Sequence, residues 1–342
     1  MRRLLPALIL VLMAPLVTEL LSGSTPLGQP IVLAVLLPIY LPLYGAGALL
    51  IRELVCRSGR GWASILLLGA AYGFVEEGFG TQSLFHPTLY HAADWGARFL
   101  GINGVFAETV IVIHAVWSVA IPILLTDLLF PARRTMPYMG RFGLVVTGIC
   151  YVLGVALLCL VARAFFAPGY EASPLLLSLT ALVTLALVVV ALALLPRKAR
   201  QPVRENSAPH PWMVLLIIGI GGFIWHAMPF LWHIQPMFSR WPFVLVPMLS
   251  AAALLAGIAW QVNHWSQAHD WSDLHLLALV CGALACHTLT GLLSPDLTHT
   301  LTDRVALIVL ALAMAGFLTW FAFRVRRRVA RHDHPAKGFC QN

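Results

Sequence analysis

The sequence predicts an all-α, polytopic transmembrane helix bundle of about ten spans, on three observations. Hydrophobic residues make up 60% of the 342 positions and charged residues only 11%, less than half of the roughly 25% charged content of soluble domains. The mean hydropathy is +0.85. Apolar stretches recur along the chain between short basic connections, each close to the roughly 20 residues a helix needs to cross hydrocarbon. A water-soluble fold of this length has no interior large enough for so much apolar surface, so the bilayer is the solvent for most of the chain.

In chain order the expected spans are 4–22, 30–51, 62–79, 105–130, 142–166, 174–195, 212–231, 241–262, 274–294 and 304–324. The first follows Met1-Arg2-Arg3 and resembles a secretory signal, but no small-x-small cleavage site closes it and Glu19 stands where one would approach. It is read as a retained span. Span two contains Pro30, Pro38 and Pro42, then Gly45-Ala46-Gly47, a composition suited to a kinked and closely packed helix. Spans five and six are nearly pure Leu, Val and Ala and are expected to face lipid. The connection 82–103, rich in His, Asp, Gly and aromatics, is expected on the outer side, capping the bundle or dipping back into it. A basic linker, 196–211, divides a six-span N-terminal bundle (1–195) from a four-span C-terminal bundle (212–325), followed by a basic tail (326–342). The halves show no internal repeat of the transporter kind.

Lys and Arg set the direction. Arg2 and Arg3 precede span one; Arg52, Arg57 and Arg60 are placed between spans two and three; Arg133, Arg134 and Arg141 follow span four. Arg197, Lys198, Arg200 and Arg204 follow span six, and Arg324, Arg326, Arg327, Arg328, Arg331 and Lys337 follow span ten. Of the 22 basic residues, only Arg98, Arg163, Arg240 and Arg304 remain for the other side. The positive-inside rule therefore puts both termini in the cytoplasm, in a bacterial inner membrane. The net charge of +8 follows from this anchoring, and the tail suits anionic lipid. Basic residues scattered over separate short loops do not make a nucleic-acid surface. Cys150, Cys159, Cys281 and Cys286 lie in apolar segments, Cys56 in a short loop and Cys340 in the tail, so no periplasmic disulfide is expected. Two residues follow Cys340 where a prenylation box needs three.

Ionisable residues inside spans are costly and point to function. Span three carries Glu76-Glu77, about 21 Å along the helix from Trp62, with Tyr72 one turn below Glu76 and Gly73 one turn below Glu77. Span four runs back with Glu108 near its outer end, His114 about 13 Å below that boundary, and Ser118 one turn further on the same face. Glu19, His226 and His287 are placed in the same layer, and the outer loop adds His86 and His91. Two adjacent carboxylates in a poorly solvated place cannot both ionise cheaply, so the pair can hold a proton. With a nearby histidine it can activate water, relay a proton or bind a metal, and the residue types alone do not choose. Bland roles stand beside these: interfacial, solvated acids, and histidines bonded across helices. The loop His264 to His275 has histidines and aspartates but no Lys or Arg, which suits either a metal or an interfacial loop anchored by Trp265 and Trp271. No cofactor motif is present.

Glu76-Glu77 in one span followed by His114-x-x-x-Ser118 in the next resembles the CAAX-protease and bacteriocin-processing (CPBP, Abi) family of intramembrane proteases. The resemblance implies that Glu76 or Glu77 activates water and that His114 assists or stabilises the oxyanion. The family's Arg four residues after the pair is replaced by Thr81, and its Phe-x-x-x-His motif is missing between the pair and His114. The segment Pro15 to Pro26 and the string Tyr72-Gly-Phe-Val-Glu-Glu also look like a bacterial multi-pass membrane-protein family without an assigned activity. Three functions are carried forward: an intramembrane hydrolase acting on a membrane protein or peptide, a proton-coupled transporter, and a non-catalytic membrane scaffold.

Overall fold

The computed structural model describes residues 4–197, 205–294 and 300–333. Each expected span is a helix. They are α1 (Leu5–Leu20), α2 (Pro30–Ser58), α3 (residues 62–80), α4 (Gly104–Leu129), α5 (Arg141–Phe166), α6 (Pro174–Leu194), α7 (Pro211–Leu231), α8 (Leu245–Trp265), α9 (Asp273–Leu293) and α10 (Leu301–Asp333). Eight of them are long and apolar enough to cross a membrane. The two others are α1, which is shorter, and α3, whose hydropathy the adjacent glutamates lower. The only strands among the described residues are a two-residue pair in the loop after α3, β1 (Arg98–Phe99) against β2 (Ile102–Asn103). The protein is an all-α polytopic bundle with extensive lipid-facing surface.

Burial sorts the helices. In the most apolar stretch of α4, 72% of residues are buried, against 17% in α5 and 11% in α6 and α8. Helix α4 is thus the central post, which is why it can carry a polar residue at membrane depth. One apolar core joins Val17 and Leu21 of α1 and Trp117 and Leu125 of α4 to Trp225, Leu284 and Phe321 of the C-terminal helices. A second joins Leu10 of α1, Leu43 and Ala48 of α2, Leu68 of α3 and Ile123 of α4. Helices α1 and α4 line both, so the N- and C-terminal helices pack on a shared axis. The loop after α3 turns inward, and Leu84, Phe85 and Ala92 form a third core with Phe106 and Ala172.

Helices α2 and α10 run past their expected ends, α10 to Asp333 through the first part of the expected tail. Helix α2 runs on to Ser58 rather than ending at 51, so Arg52, Arg57 and Cys56 lie in the helix and not in a loop. Arg52 is buried; it donates to Asp127 and to the carbonyls of Arg133, Arg134 and Met136, and its guanidinium lies 3.3 Å from the centre of the Tyr138 ring. Local hydropathy drops at Arg52, but the partners waiting for its charge lie some eighty residues downstream, out of reach of a sequence window. The loop His264 to His275, read as either a metal site or an interfacial loop, gathers no ligand set among the described residues. There His269 donates to the Asn206 carbonyl, Asp270 accepts from the Ala208 amide, and His275 bonds the Pro209 carbonyl and caps α9 with Ser272. The loop pins the end of the linker.

Basic residues of separate connections meet at one end of the bundle. Arg60 donates to the carbonyls of Leu192 and Ala193, Arg134 pairs with Asp273, and Arg328 donates to the Leu128 carbonyl.

Candidate functional site

The polar residues of the N-terminal helices converge where the helices are locally widened. Among the described residues six segments have π-helical turns: two, Ala162–Phe166 and Val190–Leu194, end α5 and α6, and the other four are Leu16–Leu20, Leu41–Gly45, Glu76–Gly80 and His114–Ala120. They carry Glu19, Tyr44, Glu76 with Glu77, and His114 with Ser118. Such turns are rare and concentrate at functional sites. Proline supplies a local cause for three of them. Pro15, Pro42 and Pro122 lie beside or within these turns and cannot donate to the carbonyl four residues earlier. In the fourth, the wider turn reduces the angle between consecutive side chains, so adjacent Glu76 and Glu77 are both buried in one interhelical space.

Close backbone approach completes the assembly. A Cβ on Gly45 would stand 2.5 Å from the Val11 carbonyl oxygen, the acceptor that Pro15 leaves without its helical donor. That contact draws α2 onto α1 beside Glu19. A Cβ on Gly69 would stand 2.7 Å from Cα of Ala115, so α3 meets α4 next to His114.

His114 is the hub. Its Nε2 lies 2.9 Å from Oε1 of Glu77, its Nδ1 lies 3.0 Å from Oγ of Ser118, and Oε2 of Glu76 is 3.4 Å from Nδ1. Glu77 Oε2 accepts from Thr81 at 3.0 Å and from the Ser83 hydroxyl. Glu76 Oε1 is bonded to the Tyr44 phenol, which also bonds Oε1 of Glu19. Oε2 of Glu19 accepts from Ser24 at 2.7 Å and Thr25 at 3.1 Å. A phenol has one proton, so Tyr44 can bridge two carboxyls only if one of them brings a proton of its own. Glu76, Glu77 and His114 are 3%, 7% and 4% exposed. Two polar atoms at this point are buried without a hydrogen-bond partner, Glu76 Oε2 and the Tyr72 hydroxyl. Tyr72 packs its ring 5.7 Å from that of His114.

The structure therefore brings together Glu76, Glu77, His114, Ser118, Tyr72 and Glu19. It leaves out four described residues that the sequence reading placed with them: His226, His287, Glu108 and His86. His226 lies beside His287, 3.4 Å between ring nitrogens, where both pack on Trp117 and His226 donates to the Gly222 carbonyl. Depth alone put His226 in the layer; the helix faces send it to the far side of α4. Glu108 lines a separate crevice with Thr109, Trp225, Met228 and Met248. His86 accepts amide hydrogens from Thr88 and Leu89 within its own loop, and the side chain of His91 lies outside the described residues. Sequence reasoning missed Tyr44, Ser83 and the partnership of Thr81 with Glu77. Tyr44 gave one signal, a phenol in the Pro- and Gly-interrupted stretch of span two, while Ser83 sits in a loop with none.

Glu76, Glu77 and His114 each offer a ligand atom, all within 4.8 Å of one another, the residue types that hold divalent ions. Chemically the cluster can take a proton from water, hold it and pass it on.

Residues 8–220 match the profile of an uncharacterised membrane protein family, which is more than half of the chain. The chain belongs to that family. The matched segment runs from α1 into α7 and contains every member of the Glu–Tyr–His network, while His287 lies beyond it. The match does not show the protease resemblance carried by Glu76-Glu77 and His114-x-x-x-Ser118. No curated protein and no solved structure matches the chain.

Proposed function

We propose that this membrane protein is an intramembrane hydrolase whose water is activated by Glu76. One observation carries the reading: Oε2 of Glu76 is a buried carboxylate oxygen without a hydrogen-bond partner, 3.4 Å from His114, while the groups around it are held in place. That is the arrangement a general base needs. Glu76 removes a proton from water as the oxygen bonds to the scissile carbonyl carbon, and the proton then leaves with the departing amine as the C–N bond breaks. His114, bonded through Nε2 to Glu77 and through Nδ1 to Ser118, supplies positive charge beside the developing oxyanion. The substrate is a membrane protein or peptide. The positive-inside rule places the basic end in the bacterial cytoplasm and the site in the outer half of the inner membrane, reached from that leaflet.

The test is to reconstitute the protein in nanodiscs with a pool of membrane peptides in ¹⁸O-labelled water. New C-termini carrying ¹⁸O are expected from wild type. Glu76→Gln is expected to lower their yield at least about 100-fold, with folding unchanged by size exclusion. A second reading, a proton-exchanging carrier, draws on the Glu19–Tyr44–Glu76 chain of carboxyls joined through one phenol. Substrate uptake into proteoliposomes that follows a pH gradient, without labelled products, would favour it. Wild-type behaviour of all Glu and His variants would leave only the scaffold.

A further inference from the structure

The non-ligating side of each of three groups is already fixed. In Glu76, Oε1 is held by Tyr44 and Oε2 has no partner. In Glu77, Oε2 is held by Thr81 and Ser83, and Oε1 faces the cluster. In His114, Nδ1 is bonded to Ser118 with Glu76 Oε2 3.4 Å away, and Nε2 faces Glu77. This is how outer partners orient metal ligands, fixing one atom of each side chain and aiming the other inward. One ligand atom from each of the three side chains lies within 4.8 Å of the others, close enough for a single ion to draw them to bonding distances of about 2.1 Å.

Charge gives a second, independent argument. Glu76 and Glu77 are buried at membrane depth, and among the described residues no Lys or Arg forms an ion pair with them. The arginines pair elsewhere, with Glu53, Asp127, Glu171 and Asp273. The cation beside them is His114, 3.4 Å from Glu76 and 2.9 Å from Glu77, and even charged it balances one carboxylate, so with Glu19 supplying the extra proton that the Tyr44 bridge needs one negative charge remains in a low-dielectric place. A divalent ion in place of the imidazolium proton balances both carboxylates, beside the Glu76 Oε2 and Tyr72 hydroxyl that are left without hydrogen-bond partners.

We propose that Glu76, Glu77 and His114 form a binding site for one first-row divalent transition-metal ion. The mixed set of one imidazole nitrogen and two carboxylate oxygens selects the zinc, iron and manganese class over magnesium and calcium, which take oxygen ligands. The site goes beyond the hydrolase reading: it draws on the same Glu76 Oε2, so a bound ion takes that oxygen from general-base duty, and binding is read without turnover.

The full-length protein in nanodiscs, stripped with chelator and dialysed, is titrated with Zn²⁺ and Mn²⁺, each alone and without substrate. One ion per chain is expected by elemental analysis, with nitrogen coupling in the pulsed electron paramagnetic resonance of bound Mn²⁺. His114→Gln should abolish that coupling, and Glu76→Gln and Glu77→Gln should each weaken binding at least about 100-fold. Ser118→Ala, which removes only an orienting bond, should weaken it about 10-fold. His287→Gln, a buried histidine outside the site, should change neither. Thermal unfolding of each variant without metal separates lost ligands from lost fold. Sub-stoichiometric binding to wild type, or equal affinity in wild type and Glu76→Gln, would overturn the proposal. ¹⁸O-labelled products formed by a protein that takes up no stoichiometric metal would overturn it while leaving the hydrolase standing, and metal binding without ¹⁸O-labelled products would do the reverse.

Discussion

Arg52→Lys separates two roles for the same residue. The substitution keeps the positive charge on the same side of the membrane, so a residue that acted only through the positive-inside effect would tolerate it. The structure instead uses the shape of the guanidinium. Its Nε donates to Asp127 at 3.0 Å, one terminal nitrogen to the Met136 carbonyl at 3.2 Å, and the other to the carbonyls of Arg133 and Arg134 at 3.0 and 3.1 Å. A lysine ammonium is a compact charge that can stay with Asp127 but cannot span the three carbonyls. Each lost bond from a charged donor costs about 1 kcal/mol or somewhat more, which puts Arg52→Lys about 3 kcal/mol below wild type. Arg52→Ala also strands Asp127, which is 6% exposed, and should cost about 3–5 kcal/mol. Reversible unfolding in mixed micelles with increasing denaturing detergent reads both, with insertion checked by protease protection. Stability of Arg52→Lys within about 0.5 kcal/mol of wild type would refute the clamp.

Gly69→Val should force α3 from α4, because the first added carbon meets backbone rather than a yielding side chain. A loss of about 1–3 kcal/mol is expected, with a changed imidazole chemical shift for His114 as it parts from Glu77; an unchanged shift would count against the close contact as the positioning device. The loop after α3 should respond to pH. Burial, helped by the Arg98 guanidinium, holds His86 below the ordinary histidine range, and its Nδ1 must be unprotonated to accept from Thr88 and Leu89. A lowered histidine pKa stabilises the fold above the unfolded value of about 6.5, and that stability is lost as pH falls. Limited proteolysis of the loop should therefore accelerate from about pH 7 to about pH 5, and a flat profile would remove His86 from the account.

The legible part of this protein was the part governed by the bilayer. Ten helices followed from hydropathy because every span must satisfy its own backbone hydrogen bonds in hydrocarbon. The Leu- and Val-rich spans five and six became the most lipid-exposed of the N-terminal six. Glu76, Glu77, His114 and Ser118 stood out because polar residues at membrane depth are costly wherever they occur, and helical spacing paired them along each helix.

Tertiary structure alone decided which of these residues meet. Depth along a helix is a sum of rises and can be counted, but the direction a side chain faces depends on helix rotation. Here four π-helical turns shift that rotation where the network forms. So Tyr44, with nothing in the sequence to link it to Glu76, became the bridge to Glu19, while His226, at the expected depth, turned to His287 and Trp117. Arg52 shows the same division. Its charge was visible in the sequence, but its clamp exists only because Asp127 and the 133–136 carbonyls are folded against it. The sequence by itself determined which groups are too polar for lipid; the packing of α1 to α4 determined which of them share one site.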